Sequence, residues 1–388
     1  MPTPSSYTSI LSRARRGAGA RTLPIALAAV AALAGGCAGR QKAAEDAIMW
    51  PLPPEKPRVK HVRSFSGTSD FDHSIGRKIL RGITGAKGVA IHNPAALALT
   101  PDEKALYVSC PSRGMVLRFD LESGRVSRTA DVEGASPKHP FGLAVDGDGN
   151  LYVTDQQEKL VWVYSREGKF LRQIGKDMFD RPTGIAVDRR RRLVYVVDGS
   201  KVDRDRHRVE VFAPDGRHLR TMGSRGAEPG QFNFPSFAMV APDGNLYVAD
   251  TGNFRIQVFD ADGNLVTILG RMGLGPGAFS KVKGLAFDAL GDLHAVDSDP
   301  AIVQMFNASH RPLMAYGGLG GRPELLGSPS GIVIDSRNNI YVADYAYNYV
   351  KQYRLFDTTV EDTRSPGDAP ATAPKGGPVG ESPTGLGH

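Results

Sequence analysis

LYVAD at Leu246–Asp250 decides the fold, because the chain returns to it five more times. The other copies are LYVSC (Leu106–Cys110), LYVTD (Leu151–Asp155), VYVVD (Val194–Asp198), LHAVD (Leu293–Asp297) and IYVAD (Ile340–Asp344). Their second residues fall at 107, 152, 195, 247, 294 and 341, at spacings of 45, 43, 52, 47 and 47. A period of this length that tolerates insertions marks an array of one supersecondary unit, stacked or closed into a ring.

Working outward, each copy sits in a longer template. About ten residues upstream lies a Pro-x-Gly-apolar-Ala-apolar-Asp segment, as in PFGLAVD (Pro140–Asp146) and PTGIAVD (Pro182–Asp188). Downstream come an alternating run, such as IQVF (Ile256–Phe259), and a run closing on Gly, GNLVTILG (Gly263–Gly270). Four short β-branched and aromatic runs joined by Asp-Gly or Asn turns are four hairpin-linked strands. The sequence therefore predicts an all-β chain of six four-stranded antiparallel units from Pro94 to Tyr353. The sixth unit lacks its last strand, whereas VKHVRSF at Val59–Phe65 resembles one without a home. Pairing the two closes the ring and removes both open sheet edges.

These motifs resemble the NHL repeat, whose arrays form six-bladed β-propellers. Asp250-Thr-Gly-Asn-Phe-Arg255 is the copy that keeps the family's Asp-to-Arg spacing between second and third strands. Some NHL-type propellers are metal-dependent lyases of amidated-peptide precursors, with His ligands at the x of Pro-x-Gly. That resemblance implies ligands here at Ala95, Phe141, Thr183, Ser236, Lys283 and Ser330, none of the required type. His92 and His139 lie beside that segment, with His207 as a third partner, which makes a weak site. No GxSxG, phosphate loop or HExxH occurs, and no cofactor is expected.

The chain opens as an exported protein does. Arg13, Arg15, Arg16 and Arg21 precede an apolar run, Leu23–Leu33, and then LAGGC ending at Cys37. Eleven apolar residues are too few to span a bilayer, the order is that of a secretory signal peptide, and the placement of Cys37 resembles a bacterial lipobox, with Leu33 four residues before the Cys and Ala34 in the usual slot. We read residues 1–36 as signal peptide, Cys37 as the lipid-bearing residue, 37–57 as tether, 58–356 as the propeller and 357–388 as a disordered tail. The lipobox resemblance implies an anchor in the outer membrane, since Ala38 stands where some bacteria use Asp for inner-membrane retention. Residues 1–36 hold four Arg and no acid, so their loss lowers the formal charge from +7 to +3. The basic balance belongs to the export segment and does not point to nucleic acid. With Cys110 the one Cys beyond Cys37, the mature chain forms no internal disulfide.

Strand alternation assigns the loops to faces. First-to-second and third-to-fourth connections are tight turns on one face, among them DGDGN and the four-Arg turn Arg189–Arg192, read as solvated. Second-to-third and inter-unit connections, which hold nearly all the long segments, share the other face. Binding residues concentrate on long loops of rigid scaffolds. The expected binding set is Phe141, Thr183, Ser236, Phe237, Lys283 and Ser330 at the channel mouth, with Lys201, Arg204, Arg206 and His207 from the longest loop. The marker Asp residues border these loops and offset their basic charge, excluding a nucleic-acid or membrane-binding field. The reading favours a non-catalytic, membrane-anchored interaction or ligand-binding scaffold of the bacterial envelope, partnered by another envelope protein or an extracellular ligand. The alternative is a hydrolase or lyase at the channel mouth.

Overall fold

A computed structural model describes residues 48–51, 55–56, 58–71, 88–199 and 205–356. The signal segment, Cys37, most of the tether, Ile75–Gly85, Lys201, Arg204 and the tail lie outside them. The described chain is a six-bladed β-propeller: five four-stranded antiparallel sheets and a sixth of five strands. In the fourth blade Pro235–Val240, Leu246–Asp250, Arg255–Phe259 and Leu265–Leu269 run from the channel outward, with Tyr247 opposite Val258 and Val258 opposite Thr267. The marker strands are buried throughout, because blades pack face to face and leave them no solvated side. Their second residues Tyr107, Tyr152, Tyr195, Tyr247 and Tyr341 are all 5% exposed or less, each burial contributing roughly 2 kcal/mol.

The Gly that ends a repeat has a conformational reason. Gly175, Gly223, Gly270 and Gly317 all have positive φ, and a Cβ there would meet Phe179, Phe232, Phe279 or Leu326 at 2.2–2.7 Å. The chain turns left-handed and is at once covered by the next apolar side chain, so only glycine fits.

The sixth blade closes as the sequence predicts. Val59–Phe65 pairs antiparallel with Tyr349–Leu355, Val59 opposite Leu355 and Phe65 opposite Val350. Met49–Trp50, inside the stretch expected to be tether, adds a short fifth strand on Val59 and Lys60. Trp50 explains this departure: its ring is 7% exposed and packs on Tyr353 and Tyr316, centroids 5.9 and 6.4 Å away, so apolar burial holds the strand down. After the closing strand, a single helical turn Thr68–Phe71 inserts Phe71 between Phe65 and Phe119, binding the sixth blade to the first.

The marker Asp residues are not surface charges, contrary to the sequence expectation. Asp155, Asp198, Asp250, Asp297 and Asp344 are fully buried. Asp155, Asp198, Asp297 and Asp344 each accept two backbone N–H groups of the incoming inter-blade loop, as Asp297 does from Ser280 (3.0 Å) and Lys281 (2.6 Å), and Asp250 accepts one, from Asn233 (2.6 Å). They act as staples that satisfy loop donors otherwise orphaned by burial. In the first blade Cys110 holds this position, fully buried, its thiol pushed up to about 11 by burial.

Candidate functional site at the central channel

The six inner strands start at the loop-rich face with the Pro-x-Gly segment and end at the tight-turn face. The glycines of that segment bring neighbouring strands together: a Cβ on Gly142 would lie 2.2 Å from the Thr183 carbonyl oxygen, and one on Gly284 2.4 Å from that of Ser330. Ala96 and Phe237 stand where the other blades have Gly, and the Phe237 ring lies 6.0 Å from that of Phe141. This pair and the closely approaching backbones narrow the channel at its loop-rich end.

Below the constriction the channel widens into a cavity of about 480 Å³ with wall residues from all six inner strands. Gly142, Phe237 and Gly331 form its floor, and Leu143, Ile185, Met239 and Ile332 stand in its walls. Thr100, Glu103, Asp188, Arg189 and Arg190 surround its mouth, which opens on the tight-turn face. Of the described residues proposed from sequence for binding, only Phe237 lines this cavity.

The others are placed as follows. Thr183 is buried and its hydroxyl donates to the carbonyls of Val197 and Pro235, both at 3.2 Å; Ser330, also buried, donates to Ala95 at 2.7 Å and Pro94 at 3.1 Å. The Ser236 hydroxyl pairs with that of Thr251 at 2.6 Å, and Thr251 donates onward to the Val282 carbonyl. Thr183, Ser330 and Thr251 stitch neighbouring blades, and Ser236 acts through Thr251. Lys283 is half-buried and, among the described residues, its amine makes no hydrogen bond or ion pair. Burial, assisted by the Lys281 charge, pulls it down to about 8. The six Pro-x-Gly positions thus hold an alanine, a phenylalanine, a lysine and three hydroxyls, a set that does not fit a catalytic metal.

His207 is the first residue of strand His207–Phe212 and is fully buried. Its ring packs on Phe234 at 4.6 Å, Nδ1 accepts the Phe234 N–H at 3.2 Å, and burial lowers its pKa. Arg206 is exposed, 3.9 Å from Asp180. Sequence reading missed this because the insertion pushed His207 out of the register seen in other blades. It also missed the cavity mouth. The four-Arg turn is not simply solvated: Arg189 Nε donates to the Val145 carbonyl (3.2 Å) and Arg191 reaches Asp188 (2.9 Å) and the Gly244 carbonyl (3.2 Å), tying the third blade to the second and fourth.

Residues 232–259, the first three strands of the fourth blade, match the NHL repeat family. This chain is a six-bladed β-propeller carrying an NHL repeat. Residues 83–196 of this propeller match the SMP-30/gluconolactonase/LRE-like region. The chain is 35% identical over 129 residues to peptidylglycine alpha-amidating monooxygenase of Rattus norvegicus, a match covering 29% of this chain and only 13% of that protein. Among solved structures it resembles a gluconolactonase of Xanthomonas campestris, with TM-score 0.54 and 17% identity over 78% of this chain and 99% of that one. An auxiliary nutrient binding protein of Bacteroides thetaiotaomicron gives TM-score 0.55 and 14% identity over 68% and 69%. At such identities the structural likeness shows the fold alone.

Proposed function

We propose that this propeller is a membrane-anchored, non-catalytic scaffold of the bacterial cell envelope, lipidated at Cys37 and held at the outer membrane. Its loop-rich face takes another envelope protein or an extracellular ligand. The observation that carries this reading is where large apolar side chains meet solvent. Met272, Leu274 and Leu319 are 74%, 77% and 70% exposed, and all three sit in the long loops that enter the fifth and sixth blades. Tyr345 and Tyr347, also exposed, follow on the second-to-third connection of the sixth blade, and exposed Tyr349 opens its third strand, on the same face. The other exposed large apolar side chains among the described residues, Met49, Val62, Phe170, Leu171, Leu219 and Val266, stand on the outermost strands, singly or in pairs, and none lies within a tight turn. Exposed apolar groups on a rigid surface mark contact sites.

The loops are held in place, which favours recognition without ordering cost. Met272 forms a parallel bridge with Phe279 and Leu319 one with Leu326, while Gln257 and Gln304 each clamp a loop through an N–H and a carbonyl. Capture from solubilised envelope tests the reading. A variant carrying Met272→Glu, Leu274→Glu and Leu319→Glu loses its captured partner, whereas charge reversals at Asp148, Glu167 and Asp215 in the tight turns do not. Loss only with the second set assigns the working surface to the other face. Anchoring is tested separately: Cys37→Ser releases the protein from the membrane fraction, and unchanged fractionation and mass rule it out.

A further inference from the structure

The channel cavity lies on the side away from the loop-rich face and has no part in the function proposed above. Its size falls in the range of small-molecule sites, roughly 300–1,000 Å³. The Phe141–Phe237 pair and the close-packed glycine segments stand at its inner end and narrow it there. From Gly142 at the floor to Val145 near the rim is a rise of three residues along the strand, about 10 Å. Side chains in its depth are aliphatic or aromatic, and every charged residue that lines it is at the rim.

The rim charges are not equally engaged. Glu103 accepts both the N–H (2.8 Å) and the hydroxyl (2.6 Å) of Ser336. Asp188 accepts the backbone N–H groups of Arg190 and Arg191, both at 2.9 Å, and the Arg191 guanidinium. By contrast Arg189 uses only Nε, and neither its Nη atoms nor the Arg190 guanidinium makes a hydrogen bond among the described residues. The carboxylates at the mouth are satisfied and the unengaged donors are cationic. Two guanidinium groups above an apolar well match a carboxylate head on a hydrocarbon body. The open inner edges of the strands add backbone groups that water can keep solvated around such a ligand.

We infer that the channel cavity is a binding site for a single-chain amphipathic carboxylate, its body between the six inner strands and its head at Arg189 and Arg190 on the tight-turn face. The probe is decanoate, below its micelle concentration, titrated calorimetrically into the full chain carrying Cys37→Ser so that no attached acyl group competes. One equivalent binds, decylamine binds at least tenfold more weakly, and Arg189→Ala with Arg190→Ala weakens decanoate at least tenfold while leaving decanol unchanged. Ala144→Leu with Ala238→Leu, at two half-exposed wall alanines, weakens both decanoate and decanol. Absence of decanoate binding, or equal binding of decanoate and decylamine, overturns the assignment. So does an arginine double variant that binds decanoate as the unaltered chain does, and this arm stands even if the alanine variant fails to fold.

Discussion

The fourth and fifth blades are built on one register and satisfy their buried polar groups differently. Leu246 faces Phe259 as Leu293 faces Phe306, and Gln257 and Gln304 clamp their loops through equivalent atoms. In the fourth blade Asp250 also accepts from Asn253 (2.8 Å), Arg255 Nε (2.8 Å) and Gln257 (3.1 Å), and Arg255 passes to the Glu228 and Gln231 carbonyls. In the fifth, Asp297 faces Ile302 where Arg255 would stand and relies on two backbone N–H groups. The backbone is the same with or without the cation, so turns, alternation and the Asp staple carry the blade, while the arginine serves the loop above it.

The inner turn differs too. In the second and sixth blades an Asn amide closes the turn on an Asp carboxylate, Asn150 to Asp146 at 2.9 Å and Asn339 to Asp335 at 2.8 Å. The fifth has Asp292 there, opposite Asp288, and Asp292 Oδ2 is buried with no hydrogen-bond partner among the described residues. His294, in the place of the marker tyrosine, bridges Asp288 Oδ2 (3.2 Å) and the Tyr316 hydroxyl (3.0 Å). Burial first, and the Asp288 charge second, push the Asp292 carboxyl up to about 7, opposed by Arg58 from the N-terminal segment.

The largest test of the contrast is Arg255→Leu, which leaves Asp250 buried without its cation and lowers stability by about 3 kcal/mol, read from urea midpoints. An effect below about 1 kcal/mol makes the fourth blade no different from the fifth. Next is Asp292→Asn. The native state holds the Asp292 proton up to about pH 7 and the unfolded chain releases it near pH 4, so stability falls as pH rises through that window and levels above it. The Asn variant, which restores the turn of the second and sixth blades, flattens that slope and is more stable than the parent by roughly 2 kcal/mol at pH 8. A slope unchanged in the variant assigns it to another group. Gln304→Ala lowers stability by about 1 kcal/mol by stranding two loop groups, and Gln257→Ala by somewhat more, because it also removes a donor from the buried Asp250 carboxylate; equal losses would mean that this extra bond adds nothing. The smallest effect is Ile302→Arg, within about 0.5 kcal/mol of the parent, because Asp297 is already satisfied and Ile302 is half-buried.

The architecture was legible because it rests on local rules repeated six times. Alternation, Asp-Gly turns and a closing Gly specify hairpins, and the unpaired resemblance of Val59–Phe65 to a fourth strand supplied the closure. What could not be read depends on groups from different blades meeting. The marker Asp carboxylates look like surface charge in sequence, since the loop N–H groups that bury them lie 16 to 18 residues away. Thr183, Ser236 and Ser330 look like binding hydroxyls until the neighbouring carbonyls are in place. The cavity is less legible still, for its width follows from ring closure and its floor from Phe141 and Phe237 meeting across blades. Met49–Trp50 was hidden by the prolines after it, which read as linker, although a single buried indole outweighs them.

The sixth blade joins strands from opposite ends of the chain, and this gives the protein an order of assembly. Val59–Phe65 leaves the ribosome early, and its partner Tyr349–Leu355 follows nearly the whole chain later. Until then that strand has no sheet to join, and a pairing so distant in sequence forms slowly, its closure entropy offset only by the finished ring. Five blades can form as the chain emerges, but the seam between first and last waits for the final strand. A chain interrupted before Tyr349 therefore carries two bare strand edges, which exposes it to proteases and to pairing with other unfinished copies.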